Sequence, residues 1–195
     1  MEYPLMIPPF TISSFNTLTK KQVEQFFQWF LIEKTNRVQV LSQYIDQTGE
    51  HVELDYTPNS LIPLWAWFES QIEIETRTEE EIEAQIRSLP PKWQNVVKPA
   101  ATQLSQKTLA IGLDISTYFG EVLVTNNDTI RWGYRTSPKK LDGVNRPLLI
   151  MGHWHDISIY QCTTIHVLTL KSSRERDSNR LYNMYIQYSQ QEKVE

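Results

Sequence analysis

A long apolar segment near the middle of the chain is the feature that most constrains the fold. Across residues 104–123, apolar side chains recur at intervals of three, four and seven residues, and further apolar residues widen the stripe. This pattern predicts a helix that is buried on more than one side. Asn126, Asn127 and Asp128 end the pattern, and the aromatic and β-branched content of residues 129–135 predicts a strand. We therefore expect a central helix at residues 102–126 that leads into this strand.

Further helices are predicted before this segment. Thr19 and Gln22 form a capping-box pattern ahead of a strong apolar stripe, which predicts a helix at residues 20–33. Thr35 is a candidate N-cap for a second helix, and Ser60 is a candidate N-cap for a third helix. The front half of the chain is therefore expected to be helical.

Strand signals are short and lie mainly in the second half. Residues 148–151 predict a strand, residues 51–56 alternate weakly and favour another, and residues 164–170 fit either a strand or a helix. An apolar stripe across residues 181–188 predicts a last helix. Together these signals predict an α+β fold, mostly helical, in which the long central helix packs with a small, mainly antiparallel sheet.

The length and composition predict one domain. The 195 residues are 40% hydrophobic and 22% charged, which is enough apolar content for a buried core. We divide this domain, residues 1–195, into a helical front at residues 17–88, a proline-bounded connector at residues 89–99, and a second part at residues 100–195. The second part holds the central helix, the sheet and the C-terminal helix.

Composition also excludes several classes of function. The chain has six glycines and neither a GxGxxG nor a Walker pattern, so we expect no nucleotide cofactor. Its net charge is −4, and residues 1–100 hold eight basic and fourteen acidic residues, which makes nucleic acid an unfavourable partner. The sequence shows neither a signal peptide nor an apolar run of membrane-spanning length, so we expect a cytoplasmic protein with no membrane partner.

A glutamate-rich block is the sharpest shift in composition. It invites two interpretations: a solvated helix face, or an acidic surface that docks a basic partner. Two neighbouring tryptophans, if exposed, would anchor such a complex. The predicted partner-binding residues are Glu69, Glu73, Glu75, Glu79, Glu80, Glu81, Glu83, Trp65 and Trp67.

Two carboxylates in the central helix are candidate functional groups. Asp114 and Glu121 are seven residues apart, so both can lie on one face of the helix. Glu121 is expected to be partly buried, with Arg131 and Arg135 on the next strand as its candidate partners. Paired carboxylates can perform acid–base catalysis, although structural ion pairing is the commoner outcome.

Histidine and cysteine provide weaker candidates. His153 and His155 would share one face of a strand, as a pair of metal ligands must, but two ligands do not make a site. Cys162 and His166 are four residues apart and would meet on a helix, but an orienting group and an oxyanion hole are not evident. We predict neither a resident metal nor a catalytic residue.

Three stretches carry a family resemblance: MIPPFTISSF with the following TKKQVEQFFQWF, then LDYTPNSLIPLWAWF, and LDISTYFGEVLVTNNDTIRWGY. They resemble uncharacterised small cytosolic proteins of Bacillus-like bacteria, some of which are encoded near polymorphic-toxin loci. The resemblance covers most of residues 4–150 and brings no catalytic motif. It implies an immunity protein or another protein-binding role. Together with the glutamate-rich block, this favours a basic toxin domain as the partner.

We therefore expect a non-enzymatic protein that neutralises a cognate toxin by occlusion. The alternative is a small hydrolase or metal-dependent enzyme that uses Glu121 and Asp114, or His153 and His155.

Overall fold

A computed structural model describes residues 2–138, 143–151, 156–158 and 163–191. The helices are α1 (Lys20–Gln47), α2 (Leu61–Gln71), α3 (Glu79–Ser88), α4 (Pro91–Gln94), α5 (Gln106–Asn126), α6 (Thr163–Ser172) and α7 (Arg180–Gln191). The strands are β1 (Ile74–Thr76), β2 (Thr102–Leu104), β3 (Ile130–Gly133), β4 (Leu148–Met151) and β5 (Ile157–Ser158). The predicted α+β class, with helix outweighing strand, is confirmed.

Helix α1 is one continuous helix of 28 residues. The predicted capping box is present, since the Thr19 side chain accepts from the backbone of Gln22 while the Gln22 side chain bonds the backbone of Thr19. The prediction of a new helix after Thr35 was wrong. Thr35 lies exposed in the helix interior, and the buried stripe continues through Val38 and Leu41. Burial of the second half therefore outweighs the weak local capping signal.

The central helix α5 begins at Gln106, four residues later than predicted. Residues 102–104 instead form β2, and the Ser105 hydroxyl caps the helix by accepting from the Thr108 backbone. The helix ends at Asn126, as predicted. The side-chain amides of Asn126 and Asn127 donate to the carbonyls one turn earlier, which satisfies part of the helix C-terminus.

Two small antiparallel sheets accompany the helices. Strands β1 and β2 form a two-stranded pair, while β3, β4 and β5 form a second sheet in that order. The predicted strands at residues 129–135 and 148–151 are confirmed in this second sheet. The predicted strand at residues 51–56 was wrong, because that segment forms neither a helix nor a strand. The ambiguous segment at residues 164–170 lies in α6.

The hydrophobic core is built around α5. Helix α1 packs along one side of α5, and α2, α6 and α7 contact it elsewhere. Fully buried core residues include Phe68 on α2, Ile115 and Leu123 on α5, and Leu181 on α7. The Ser60 hydroxyl does not cap α2, and it bonds Tyr118 in the core instead. Within the described residues, no helix is long and apolar enough to cross a membrane.

Candidate functional site

The chain from the last two residues of α2 to the middle of β2 forms an exposed arm, residues 70–103, which includes β1, α3, α4 and most of β2. None of these 34 residues is buried, although the structure describes all of them. Large apolar side chains are nevertheless exposed on it: Ile74 by 51%, Trp93 by 46%, Val96 by 65% and Val97 by 37%. Three of these four residues lie within a stretch of five, and a group of exposed apolar residues near charged ones is typical of a surface that contacts another protein.

The base of the arm is firmly joined to α5. Glu73 is the junction: its backbone N–H donates to the Thr108 hydroxyl at 2.9 Å, and its carbonyl accepts from the Ser105 backbone at 2.9 Å. The Glu73 carboxylate also pairs with Lys107 at 2.7 Å, and this hydrogen bond lowers the pKa of Glu73. Glu73 is therefore a structural anchor of the arm.

The arm also has internal bonds that give it a defined shape. Arg77 donates through Nη1 to the Gln85 side chain at 2.5 Å, and its backbone N–H donates to the Ala101 carbonyl at 2.9 Å. Thr78 and Glu81 form the predicted capping box at the start of α3. The arm therefore presents its side chains from ordered helices and strands.

The arm glutamates differ in how free they are. Glu81 accepts from the Thr78 backbone, Glu83 pairs with Arg87 on the same helix, and Glu75 accepts from Gln103. Glu79 and Glu80, in the first turn of α3, have neither a hydrogen bond nor an ion pair with any described residue. These two carboxylates are the most available for an external cation.

Three predicted docking residues lie inside the protein, and their assignment to an exposed surface was wrong. Trp65 is fully buried, and its indole N–H donates to Ser172 at 3.2 Å. Trp67 is 5% exposed and donates to Thr48 at 3.0 Å. Glu69 is 6% exposed, and its carboxylate accepts from a backbone N–H of the segment before α7 at 2.8 Å. Their partners lie at the end of α6, at the end of α1 and before α7, so packing of α2 against several elements buries all three.

Asp114 is part of a buried polar cluster between α1, α5 and the N-terminal segment. Arg37 donates to both of its oxygens, through Nε at 2.9 Å and Nη2 at 2.5 Å, and Tyr3 donates to Oδ2 at 2.5 Å. Arg37 also donates to the Pro4 carbonyl at 2.7 Å. Burial raises the pKa of Asp114, while the bonds from Arg37 and Tyr3 act in the opposite direction. The cluster ties the N-terminal segment to the core.

Glu121 is partly buried, as predicted, but with different partners. Its Oε2 accepts from Lys34 at 2.5 Å, and its Oε1 accepts from the Trp132 indole at 2.5 Å. The two predicted partners lie elsewhere: Arg131 is exposed, and Arg135 pairs with Asp156. Position on β3 alone did not show which side chains face α5, so the pairing of Glu121 with Arg131 or Arg135 was wrong.

The predicted common face of Asp114 and Glu121 is present, since both contact α1. Their cationic partners, Lys34 and Arg37, lie one turn apart on α1 and were not predicted. The spacing of the two acids did not indicate these partners, because the contacts join two helices that are distant in sequence. Both carboxylates are bonded through both oxygens, so neither is a free general base.

The histidine and cysteine candidates receive no support as a site. His153, His155 and Cys162 lie outside the described residues. His166 is exposed on α6, and His51 is exposed beside Asp46. Within the part of the chain that the structure describes, no three His, Cys, Asp or Glu side chains are grouped so that they could hold a metal ion.

A cavity of about 430 Å³ lies between the N-terminal segment and α1. Its lining also includes Leu113 of α5 and Arg146 of the loop before β4. Neither Asp114 nor Glu121 lines this cavity. It is therefore separate from both the buried carboxylates and the arm.

No protein-family model matches the chain, and comparison with curated proteins and with solved structures finds no match. The resemblance to proteins of polymorphic-toxin loci therefore stays a prediction.

Proposed function

We propose that this protein is a non-enzymatic binding protein whose docking element is the arm. The observation that carries the proposal is the absence of any buried residue across residues 70–103. A segment of this length with ordered helices, a bonded base and exposed apolar side chains does little for the protein's own core. Its apolar surface gains most when a partner covers it.

The chemistry of the arm favours a partner with a basic surface. Glu79 and Glu80 project from the first turn of α3, where they lack partners among the described residues, and Glu83 lies one turn further along the same helix. Opposite charge would accelerate association, and Trp93 on α4 is an aromatic anchor of the kind that supplies much of the affinity at interfaces. Trp93 thus takes the role first expected of Trp65 and Trp67.

The most concrete form of this proposal is an immunity protein that blocks a toxin by occlusion. The arm would cover a basic functional surface of the toxin, such as the phosphate-binding cleft of a nuclease. Support comes from the acidic and apolar character of the arm and from the family resemblance of the sequence.

The enzymatic alternative has weaker support. Asp114 is buried and bonded to Arg37 and Tyr3, and Glu121 is bonded to Lys34 and Trp132. Neither carboxylate is poised to take a proton from a substrate. A hydrolase that uses these two groups is therefore not favoured by their geometry.

The decisive experiment begins with the gene directly upstream. If it encodes a toxin, the two proteins are co-expressed, and cell survival and association kinetics are measured. The variant Glu79→Lys/Glu80→Lys should slow association about tenfold or more at low salt, with a smaller effect at high salt. Trp93→Ala should mainly speed dissociation.

A matched control separates docking from net charge. Glu50→Lys/Glu53→Lys makes the same charge change at two exposed positions outside the arm. This control should slow association far less than the arm variant does. Equal effects of the two variants would contradict docking through the arm, and failure to protect cells from the neighbouring toxin would contradict the immunity role.

A further inference from the structure

The cavity of about 430 Å³ beside the N-terminal segment has the composition of a small-molecule site. Its size falls within the usual range of ligand cavities, roughly 300–1,000 Å³. Most of its wall is apolar and comes from three separate parts of the chain: Met6, Pro8, Ile12, Phe26, Trp29 and Leu113. The remaining lining residues are Ser13, Ser14, Phe15 and Arg146. Such a wall favours an apolar ligand body.

Among the described residues that line this cavity, Arg146 is the only charged one. Its guanidinium lies over the Phe15 ring, 4.8 Å from the ring centroid, and forms no ion pair with any described residue. An arginine that faces an apolar cavity without a carboxylate partner favours an anion there. The planar guanidinium fork matches a carboxylate in particular, because it can donate two parallel hydrogen bonds.

The loop before β4 holds Arg146 in this position. Asn145 has a positive φ of 63°, and its side-chain amide donates to the Phe15 carbonyl at 2.9 Å. Its backbone N–H donates to the Arg135 carbonyl at 2.7 Å. These two bonds fix the residue next to Arg146 to both the N-terminal segment and the end of β3. The backbone next to Arg146 is therefore fixed beside the cavity.

We propose that this cavity binds a small amphipathic carboxylate, with the apolar body against α1 and α5 and the carboxylate on Arg146. Ser13 and Ser14 also line the cavity, and each carries a hydroxyl that can donate a hydrogen bond. The proposal concerns a different part of the molecule from the arm and does not depend on the proposed binding function.

Calorimetric titration of the purified full chain tests this assignment with three probes. Decanoate has both an apolar tail and a carboxylate, decanol lacks the charge, and acetate lacks the tail. Saturable binding of decanoate at one site, clearly tighter than that of decanol or acetate, is the expected result. Decanol binding as tightly as decanoate, acetate binding as tightly, or no saturable decanoate binding would each overturn the proposal.

Variants locate the site. Arg146→Gln should weaken decanoate binding about ten- to hundredfold, because it removes the charged hydrogen bonds, and should leave decanol binding unchanged. Arg174→Gln removes an exposed arginine outside the cavity and should change neither affinity. Leu113→Phe, which adds bulk to the wall, should weaken decanoate binding even if Arg146→Gln fails to fold. Decanoate affinity that survives both cavity variants would overturn the assignment.

Discussion

The α1–α5 interface and the arm treat their charged residues in opposite ways: the interface buries and pairs them, whereas the arm leaves most of them exposed. At the interface, Asp114 and Arg37 are buried, and both carboxylate oxygens of Asp114 accept hydrogen bonds from Arg37. In the arm, no residue is buried, and Glu79 and Glu80 have no partner among the described residues. The interface therefore concentrates the polar groups on which folding depends, whereas the arm holds groups that an external partner can use.

This difference indicates which substitutions should change stability and which should change binding. Removing one member of a buried, bonded pair leaves the other uncompensated, which costs several kcal/mol. Changing an exposed side chain away from such features usually alters stability by less than about 0.5 kcal/mol. Variants of the interface should thus report on folding, and variants of the arm should report on binding.

The largest effect is expected at the buried pair. Asp114→Ala leaves the Arg37 guanidinium and the Tyr3 hydroxyl without their acceptor, and it should lower the free energy of unfolding by about 3–5 kcal/mol. Urea denaturation measures this value. The double variant Arg37→Met/Asp114→Leu removes both charges and should recover much of the loss. A double variant that is less stable than Asp114→Ala would contradict this account of the pair.

A smaller loss is expected at Glu121. Glu121→Gln keeps an acceptor for the Trp132 indole but leaves the Lys34 ammonium without its counter-charge. Because both side chains are partly solvated, with 16% and 18% exposure, we expect a loss of about 1–3 kcal/mol. Chemical denaturation of the purified variant measures it. A loss as large as that of Asp114→Ala would show that Glu121 contributes as much to the free energy of unfolding as the buried pair, which would contradict this prediction.

Alkaline pH should weaken the same interface through Tyr3. Burial, together with the negative charge of Asp114, raises the pKa of the Tyr3 hydroxyl above its ordinary value of 10.0. The folded protein then keeps this proton where the unfolded chain releases it. The stability linked to Tyr3 is therefore fully present below pH 10 and declines above it, by about 1.4 kcal/mol per pH unit.

Tyr3→Phe separates this effect from general alkaline unfolding. The variant cannot release a proton at this position, so its stability should fall less steeply above pH 10 than that of the parent. Denaturation midpoints measured between about pH 9 and pH 11 provide the comparison. Parallel slopes in the two proteins would contradict a role for Tyr3.

Local sequence patterns predicted the ends of helices better than they predicted which side chains contact one another. The two capping boxes and the end of α5 at Asn126 depend on side chains within one helical turn, and the sequence displays them directly. The new helix predicted after Thr35 is absent, because burial along the whole of α1 outweighs the weak local capping signal there. A local pattern thus decides a helix end only where packing does not oppose it.

The candidate site was harder to predict because it depends on distant residues. Trp65 is buried through contacts that include Ser172, 107 residues away, and no spacing rule reveals such a contact. The partners of Asp114 and Glu121 likewise lie on α1, far from the helix that bears the acids. The sequence predicted the exposure of the arm only in part, through the glutamates of α3. Trp93 lies within the predicted connector, but its local sequence does not show that it is exposed.

The two capping boxes offer the sharpest comparison of the two regions, although the effects are small. Thr19 caps α1, which buries Val23 only four residues later, whereas Thr78 caps α3, in which no residue is buried. Thr19→Ala should lower the free energy of global unfolding by about 1 kcal/mol. Thr78→Ala removes the same kind of bond but should leave global unfolding unchanged, because α3 contributes little to the core.

Native-state hydrogen exchange shows where each loss appears. In Thr78→Ala, the amides of α3 should lose protection while those of α5 keep theirs, since the arm opens locally without the core. In Thr19→Ala, protection should fall across α5 as well, because opening of α1 exposes the shared interface. If Thr78→Ala lowered protection in α5 by the same factor as in α3, the arm and the core would unfold as one cooperative unit. Substitutions in the arm would then change the stability of the whole protein, so they could not be used to measure binding separately from folding.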